Sequence, residues 1–488
     1  MAGYDKPALL NAADVPAWTD EADVIVVGLG MAGACAAIEA RTAGASVLVL
    51  ERGSGVNGTT TNAAGHFYLG GGTPVQVACG FEDSAQDMVD YLTAVTPDPV
   101  PEKIRLYCDE SVDHFHWLET HGVPFDRSYY PYKSVVQPTR ECLIWTGNEK
   151  VWPYRDQARP APRGHKVAFD GEEGGGALAA QLLAAKAQEQ GARALFDMRV
   201  RELIADETGR IVGVRATHFE EALFVRARKA VILAAGGFGM NQAMVAEYVP
   251  DLAPPTYVQG GPNDDGMSIL LGQSAGGAVR GMEKPFITCP FYPPEQLLKG
   301  ILVNKFGQRF VAEDSYHSRT GIISREQPDG IAYLIVDSSI FAYPRFAEMM
   351  NQQLIDGWET VSEMESGLGL PAGALVKTMG EYNFHAEGGE DPEFRKYPDW
   401  VAPLTNGPYA AFDISVGKAV YTGFTLGGLF VSVDAEVLDA EGKPVPGLYA
   451  AGACASNIAQ DSRGYASGTC IGEASFFGRR GGRHAAAR

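Results

Sequence analysis

The chain has 488 residues, 45% of them hydrophobic and 58 of them glycine, enough for two domains or for one large domain carrying an insertion. Its 60 acidic against 40 basic residues give a formal charge of −20, which argues against a general attraction to nucleic acid or to an anionic membrane. The first residues lack the basic start and apolar core of a secretory signal, no apolar stretch nears the about 18 residues of a membrane span, and the seven cysteines form no C-x-x-C pair, so a cytoplasmic protein with reduced thiols is expected.

The first strong pattern is "DVIVVGLGMAGACAAIEARTAGASVLVLERG", residues 23–53. An apolar strand runs into Gly28, Gly30 and Gly33, a small-residue helix follows, and a second apolar strand ends at Glu51. Gly28 permits a tight turn, Gly30 lets a pyrophosphate approach the backbone, Gly33 brings helix and strand together, and Glu51 is placed to hold a ribose diol. Dinucleotide binding is expected, and the pattern alone leaves NAD and FAD open.

Next comes "NGTTTNAAGHFYLGGG", whose N–H and hydroxyl groups suit a second pyrophosphate-facing loop and an approach to a flat ring. Aromatic residues gather in "SYYPYK" (Tyr129, Tyr130, Tyr132), "CLIWTG" (Trp145) and "KVWPY" (Trp152, Tyr154), either as core or as the wall of an apolar pocket. Further on, "RKAVILAAGGFG" reads as an apolar strand running into Ala235 and Gly236, and "GKPVPGLYAAGACA" as another running into Gly452. Between these two, strand-like runs separated by turn residues extend from "GMEKPFITCPFYPPEQ" to "PDWVAPLTNGPY", with Pro/Gly-rich edges that fit hinges. The final stretch, "DSRGYASGTCIGEASFFG", sets Tyr465 and Ser467 at the mouth of a helix, where Ser467 and Thr469 can each serve as an N-cap or present a hydroxyl to a ligand. The tail "RRGGRHAAAR" is expected to be disordered. No second dinucleotide fingerprint occurs, so if the site holds a flavin its electrons are expected to pass to an external acceptor, a quinone or an electron-transfer protein, rather than to a second nicotinamide site in this chain.

The Gly-rich turn, the Gly/Thr loop, the two later strands and the terminal helix together resemble the FAD-binding fold of the fumarate reductase and ketosteroid dehydrogenase superfamily, over residues 22–478. The resemblance implies an α/β fold: a discontinuous Rossmann-like FAD-binding domain, residues 1–275 and 406–488, with an α+β cap over 276–405. FAD is then held by Gly28, Gly30, Ala32 and Gly33 at the first turn and by Glu51 and Arg52 after the second strand. Gly58, Thr59, Thr60, Ala64 and Gly65 in the loop and Val200, beside the adenine, add to this. Ala235, Gly236, Gly452, Gly468, Thr469 and Ile471 complete the set. His66 falls outside the histidine motif of covalently flavinylated relatives, so non-covalent FAD is expected, and no metal site.

Where fumarate reductases clamp a dicarboxylate, the sequence departs. Phe424 in "YTGFTLGGL" stands at the position resembling a substrate histidine, Tyr465 at that of a carboxylate-binding arginine, and Tyr316 and His317 in "RFVAEDSYHSRTG" at that of the acid arginine. An aromatic, hydroxyl-lined pocket suits a neutral ketone. At Tyr316, Tyr465 and Ser467 the resemblance narrows to bacterial 3-ketosteroid dehydrogenases, closer to the Δ4-(5α) than to the Δ1 type. It implies dehydrogenation across C4–C5 of a saturated 3-ketosteroid: Tyr465 stabilises the oxyanion, Ser467 takes the C4 proton with Tyr316 relaying it, and flavin N5 accepts the C5 hydride. A Δ1-dehydrogenase, a flavin-dependent reductase of another enone and a non-catalytic flavin protein are the alternatives.

Overall fold

The computed structural model describes residue 4 and residues 6–488. The apolar strands read from the sequence lie side by side in one nine-stranded sheet. Its strands are β1 (Leu9–Asn11), β2 (Asp20–Val27), β3 (Val47–Leu50), β4 (Arg193–Leu195), β5 (Met198–Ala205), β6 (Ile211–His218), β7 (Glu221–Leu233), β8 (Glu436–Leu438) and β9 (Pro444–Ala450). The order is β1-β5-β6-β7-β2-β3-β4, with β9 pairing the last residues of β7 and β8 pairing β9. β9, β7, β2, β3 and β4 run parallel, and Val24, Ile25, Val26, Leu48, Ile232 and Leu448 are fully buried. Burial on both faces is why these strands read as unbroken apolar runs rather than as alternating ones. One consequence is functional: Val27, Leu50, Leu233 and Ala450 end the parallel strands on one edge, the edge where open α/β sheets bind ligands.

Helix α1 (Met31–Thr42) leaves β2 at Gly30 and packs along α3 (Thr469–Ala487), while α2 (Gly175–Glu189) lies beside α1. Small residues set the approach of α1 and α3. A Cβ on Gly478 would fall 2.4 Å from the Ala32 carbonyl oxygen, and one on Gly482 would fall 2.2 Å from that of Ala36. The tail expected to be disordered is instead the last half of α3. Ala485 and Ala486 are buried, the Arg483 guanidinium donates to Glu39 Oε2 at 2.7 Å, and Arg479 stacks over the Trp117 ring at 4.6 Å. The alanines and arginines read as low-complexity have helical propensity, and their ion pairs and buried methyl groups give that helix a surface to dock on.

The inserted region carries its own four-stranded antiparallel sheet, in the order Ile301–Asn304, Ala332–Asp337, Tyr409–Asp413, Gln353–Trp358, and its own core around Leu302, Leu334, Ile335 and Phe412. Tyr409–Asp413 is an inner strand of this sheet. The segments on either side of this sheet are tied together: Pro285–Thr288, before it, pairs antiparallel with Thr422–Thr425, after it. Among the described residues no helix is long and apolar enough to cross a membrane.

Candidate active site

The register of the two hinge strands sets Phe286 directly opposite Phe424, and their rings stack with centroids 4.4 Å apart and planes 14° from parallel. Tyr465 packs edge-on against both, at 4.6 Å from Phe286 and 5.7 Å from Phe424. Tyr316, the residue before the His317–Arg325 helix, joins the same cluster and is 1% exposed. Its hydroxyl hydrogen-bonds to Ser467 Oγ, and its N–H donates to Asn148 Oδ1 at 2.8 Å. The expected trio is therefore in one place, brought together from the start of the His317–Arg325 helix and the loop before α3. Phe286 is a member that the sequence patterns do not reveal; its signal is the pairing of the two hinge segments, which no local pattern displays.

Neither hydroxyl caps the helix. The N-cap is Gly468, at φ 97°, where a Cβ would come within 2.6 Å of the Tyr68 nitrogen, and Thr469 Oγ1 donates back to the Ala466 carbonyl at 2.7 Å. Ser467 is anchored through its own N–H, which donates to the Thr146 carbonyl at 2.8 Å, leaving its hydroxyl for Tyr316. With no side-chain cap, the first-turn N–H groups and the positive end of the α3 dipole are left for a ligand.

Burial sets the protonation states. It raises the Tyr465 pKa well above its usual value, with Cys470 and Tyr316 adding to the rise, and it raises Tyr316, with Glu149 adding. Both phenols are neutral donors at working pH. His317, ring centroid 3.9 Å from that of Tyr316, is pushed down to about 3 by burial and by the nearby Lys133 and His66, so its imidazole is neutral.

Several of the residues expected at the dinucleotide lie at the carboxyl edge of the sheet. Gly28 has φ 99°, and a Cβ there would lie 2.6 Å from the Ala234 carbonyl oxygen; one on Gly33 would lie 2.0 Å from that of Gly28. A Cβ on Gly30, by contrast, meets nothing nearer than Thr60 Oγ1 at 3.6 Å, so the turn is open on the side where the helix N-terminus points. Glu51 accepts from the Leu29 N–H at 2.7 Å and from the Gly53 N–H at 2.6 Å, fixing its carboxylate beside that turn. Arg52 pairs with Asp265 at 2.5 Å. Thr59 hydrogen-bonds to Asp264, whose Oδ1 lies beside Gly236, so the loop that includes Gly58 and Thr60 meets the turn after β7, at Ala235 and Gly236, through a segment that the sequence motifs do not include. Its signal is "GGPNDDGM", residues 260–267, a dense run of turn residues.

Ala64 and Gly65 rest on the first turn of α2, where a Cβ on Gly175 would lie 2.4 Å from the Ala64 carbonyl oxygen. Gly452, after β9, comes against Ala32, and Ile471 packs on the core from the first turn of α3. Val200 sits on β5, one residue after Arg199, which pairs with Asp265. Two helix N-termini, small residues and a fixed carboxylate thus form a cradle that fits a dinucleotide with a flat ring. The other aromatic groups lie elsewhere: the Trp145 N–H donates to the Tyr129 hydroxyl at 2.9 Å, Tyr130 packs on Tyr132, Tyr154 stands against Tyr91, and Tyr132 and Trp152 are 57% and 37% exposed. No group of acids, histidines and cysteines among the described residues is arranged to hold a metal.

A family model described as an FAD binding domain matches residues 23–468. The 3-oxo-5-alpha-steroid 4-dehydrogenase of Comamonas testosteroni is 30% identical over 91% of this chain and 94% of its own. The crystal structure of 3-ketosteroid-delta4-(5alpha)-dehydrogenase from Rhodococcus jostii RHA1, in complex with 4-androstene-3,17-dione, superimposes with a TM-score of 0.93 at 42% identity, over 99% of this chain and all of that one. A 3-ketosteroid delta1-dehydrogenase from Sterolibacterium denitrificans shares the fold, with a TM-score of 0.72 at 20% identity over 96% of this chain and all of the other.

Proposed function

The chain belongs to the family of flavoproteins built on this FAD binding domain, and from that premise we propose that it is an FAD-dependent dehydrogenase of saturated 3-ketosteroids, introducing the C4–C5 double bond. The observation that carries the reading is the hydrogen bond joining Tyr316 to Ser467 beside the buried Tyr465. Removing a proton next to a ketone builds charge on its oxygen, and a neutral buried phenol aimed at that oxygen stabilises the charge, each such donor contributing about 3–4 kcal/mol. Tyr465 takes that part, aided by the uncapped N-terminus of α3. Ser467 takes the C4 proton, and since a serine is a poor base alone, Tyr316 accepts its proton in turn. Phe286 and Phe424 offer a flat apolar wall to the steroid rings. FAD, when bound, supplies the two-electron acceptor for the hydrogen leaving C5.

We further propose that FAD is non-covalent, because His66 is buried with its Nε2 in a hydrogen bond to Gln137 Oε1 at 2.9 Å. The final electron acceptor is external, a quinone or an electron-transfer protein, and the seven free cysteines suit the reducing cytoplasm. The deciding experiment mixes the oxidised protein anaerobically with a panel of 3-ketosteroids. The flavin is expected to bleach with a saturated substrate such as 5α-androstane-3,17-dione and to yield the 4-ene. Product unsaturated at C1–C2 would make it a Δ1-dehydrogenase. Reoxidation of the reduced protein by fumarate, with no response to steroids, would make it a reductase.

Glu51→Gln is expected to weaken FAD binding about ten- to hundredfold, as loss of charged hydrogen-bond partners does, while the absorption spectrum of the flavin still bound stays normal. Equilibrium dialysis checks this; unchanged affinity would place the ribose elsewhere. Acid denaturation should release the flavin from the native protein, and yellow colour staying with the unfolded chain would show a covalent link.

A further inference from the structure

Ser467 and Tyr316 are both neutral at rest, so they can pass a proton on but not hold one. Tyr316 is buried, and its hydroxyl has Ser467 as its side-chain partner. The proton therefore needs an acceptor further along. Glu149 is nearby, but its Oε1 accepts from the Tyr68 hydroxyl and its Oε2 from the Gly147 N–H, both at 3.0 Å. A different set of groups has capacity to spare. The Tyr292 hydroxyl, Asp314 Oδ1, Ser315 Oγ and His317 Nε2 are all buried without a side-chain hydrogen-bond partner among the described residues; three of them belong to the run Asp314–His317 that flanks Tyr316, and the fourth is on the ring that faces His317. Buried polar groups are nearly always paired with protein or ordered water, so orphaned atoms on both sides of Tyr316 and on the ring facing His317 leave capacity for bridging water.

The spot has a direction. Tyr292 is near enough to both Tyr316 and Asp314 for each to raise its pKa, and its ring stands 6.4 Å from that of His317. Lys133, half-buried, brings its Nζ to 5.9 Å from the Tyr292 ring. Asp314 is held in place on its other oxygen, Oδ2, by the Tyr397 N–H at 2.9 Å, so Oδ1 is the free acceptor. Burial raises the Asp314 pKa, which makes its carboxylate the better base, and Lys133 lies close enough to lower it in turn.

Resting on the dehydrogenase reading above, we propose that Tyr292 and Asp314 form the exit relay for the C4 proton, carrying it from Tyr316 through bridging water to the protein surface at Lys133. One proton enters at Ser467 and one leaves to bulk water. Each hydroxyl between gives up the proton it held as it receives the next, so no group keeps a new charge and no co-reactant is needed.

Tyr292→Phe tests this, because it deletes the hydroxyl and keeps the ring in place, and its melting temperature is measured beside the exchange rate. The readout is washout of deuterium from C4 of a labelled saturated 3-ketosteroid, measured anaerobically on protein whose flavin has been reduced beforehand, so that proton exchange is followed without turnover. Exchange is expected to fall about tenfold or more in Tyr292→Phe and in Asp314→Asn, with steroid affinity unchanged and the Tyr292→Phe melting temperature close to native. Exchange within about twofold of the native rate in Tyr292→Phe overturns the relay while leaving the dehydrogenase reading intact. A native protein that neither exchanges C4 hydrogen nor bleaches with any saturated 3-ketosteroid overturns that reading, and the relay with it.

Discussion

Tyr465→Phe is expected to dehydrogenate a saturated 3-ketosteroid about 10²–10³ times more slowly than the native protein, with FAD content and melting temperature close to native. The substitution is nearly isosteric, and the contacts of the ring with Phe286 and Phe424 survive it. What disappears is a donor whose value is greatest when the ketone oxygen carries charge, so kcat should fall while the KM moves little. Because burial holds the phenol far above its usual pKa, the loss should be the same across the working pH range. Stopped-flow bleaching of the flavin measures the step directly. A near-native rate would put the substrate carbonyl away from Tyr465 and the start of α3.

The sheet is legible in the sequence because each of its central strands is buried on both faces and so spells an unbroken apolar run ending in a glycine turn. Val231, Ile232 and Leu233 before Ala234, and Leu448, Tyr449 and Ala450 before Ala451, show this at positions more than 200 residues apart. The tail is not legible, because its signals are non-local. Nothing in "RRGGRHAAAR" reveals that Arg483 meets Glu39 or that Gly482 fits over Ala36, and it is these contacts that turn helical propensity into a docked helix.

The site divides in the same way. Tyr316, Tyr465 and Ser467 stand out by their motifs, and so do the glycines whose neighbours leave no room for a Cβ. Phe286 does not, since its role comes from the register that sets it across from Phe424, and that register depends on the cap folding between the two strands. Asp264 is similar: a carboxylate in a turn looks solvated until Thr59 and Gly236 are brought against it. The orphaned atoms of Tyr292, Asp314, Ser315 and His317 are beyond any sequence pattern, because lacking a partner is a property of packing alone.

Ser467→Ala and Tyr316→Phe are each expected to lose dehydrogenation and C4 exchange by about 10²–10⁴, the range of a positioned acid–base group. Their stabilities should differ, and the difference identifies the pair. Tyr316 is 1% exposed, so removing the Ser467 hydroxyl strands a phenol in the core at a cost of about 1–3 kcal/mol. Ser467 is only half-buried, so after Tyr316→Phe its hydroxyl can turn to water and the cost is smaller. The double variant removes both partners and should regain most of the stability lost in Ser467→Ala while regaining no activity. Since Gly468 is the N-cap, Ser467→Gly should match Ser467→Ala in lost activity rather than recover it. Denaturant unfolding and deuterium exchange at C4 measure the two properties separately. If Ser467→Ala proved catalytically normal, the base would have to be sought at Tyr316 itself or at His317; if the double variant stayed as unstable as Ser467→Ala, the bond between the two hydroxyls would not be the one that couples them.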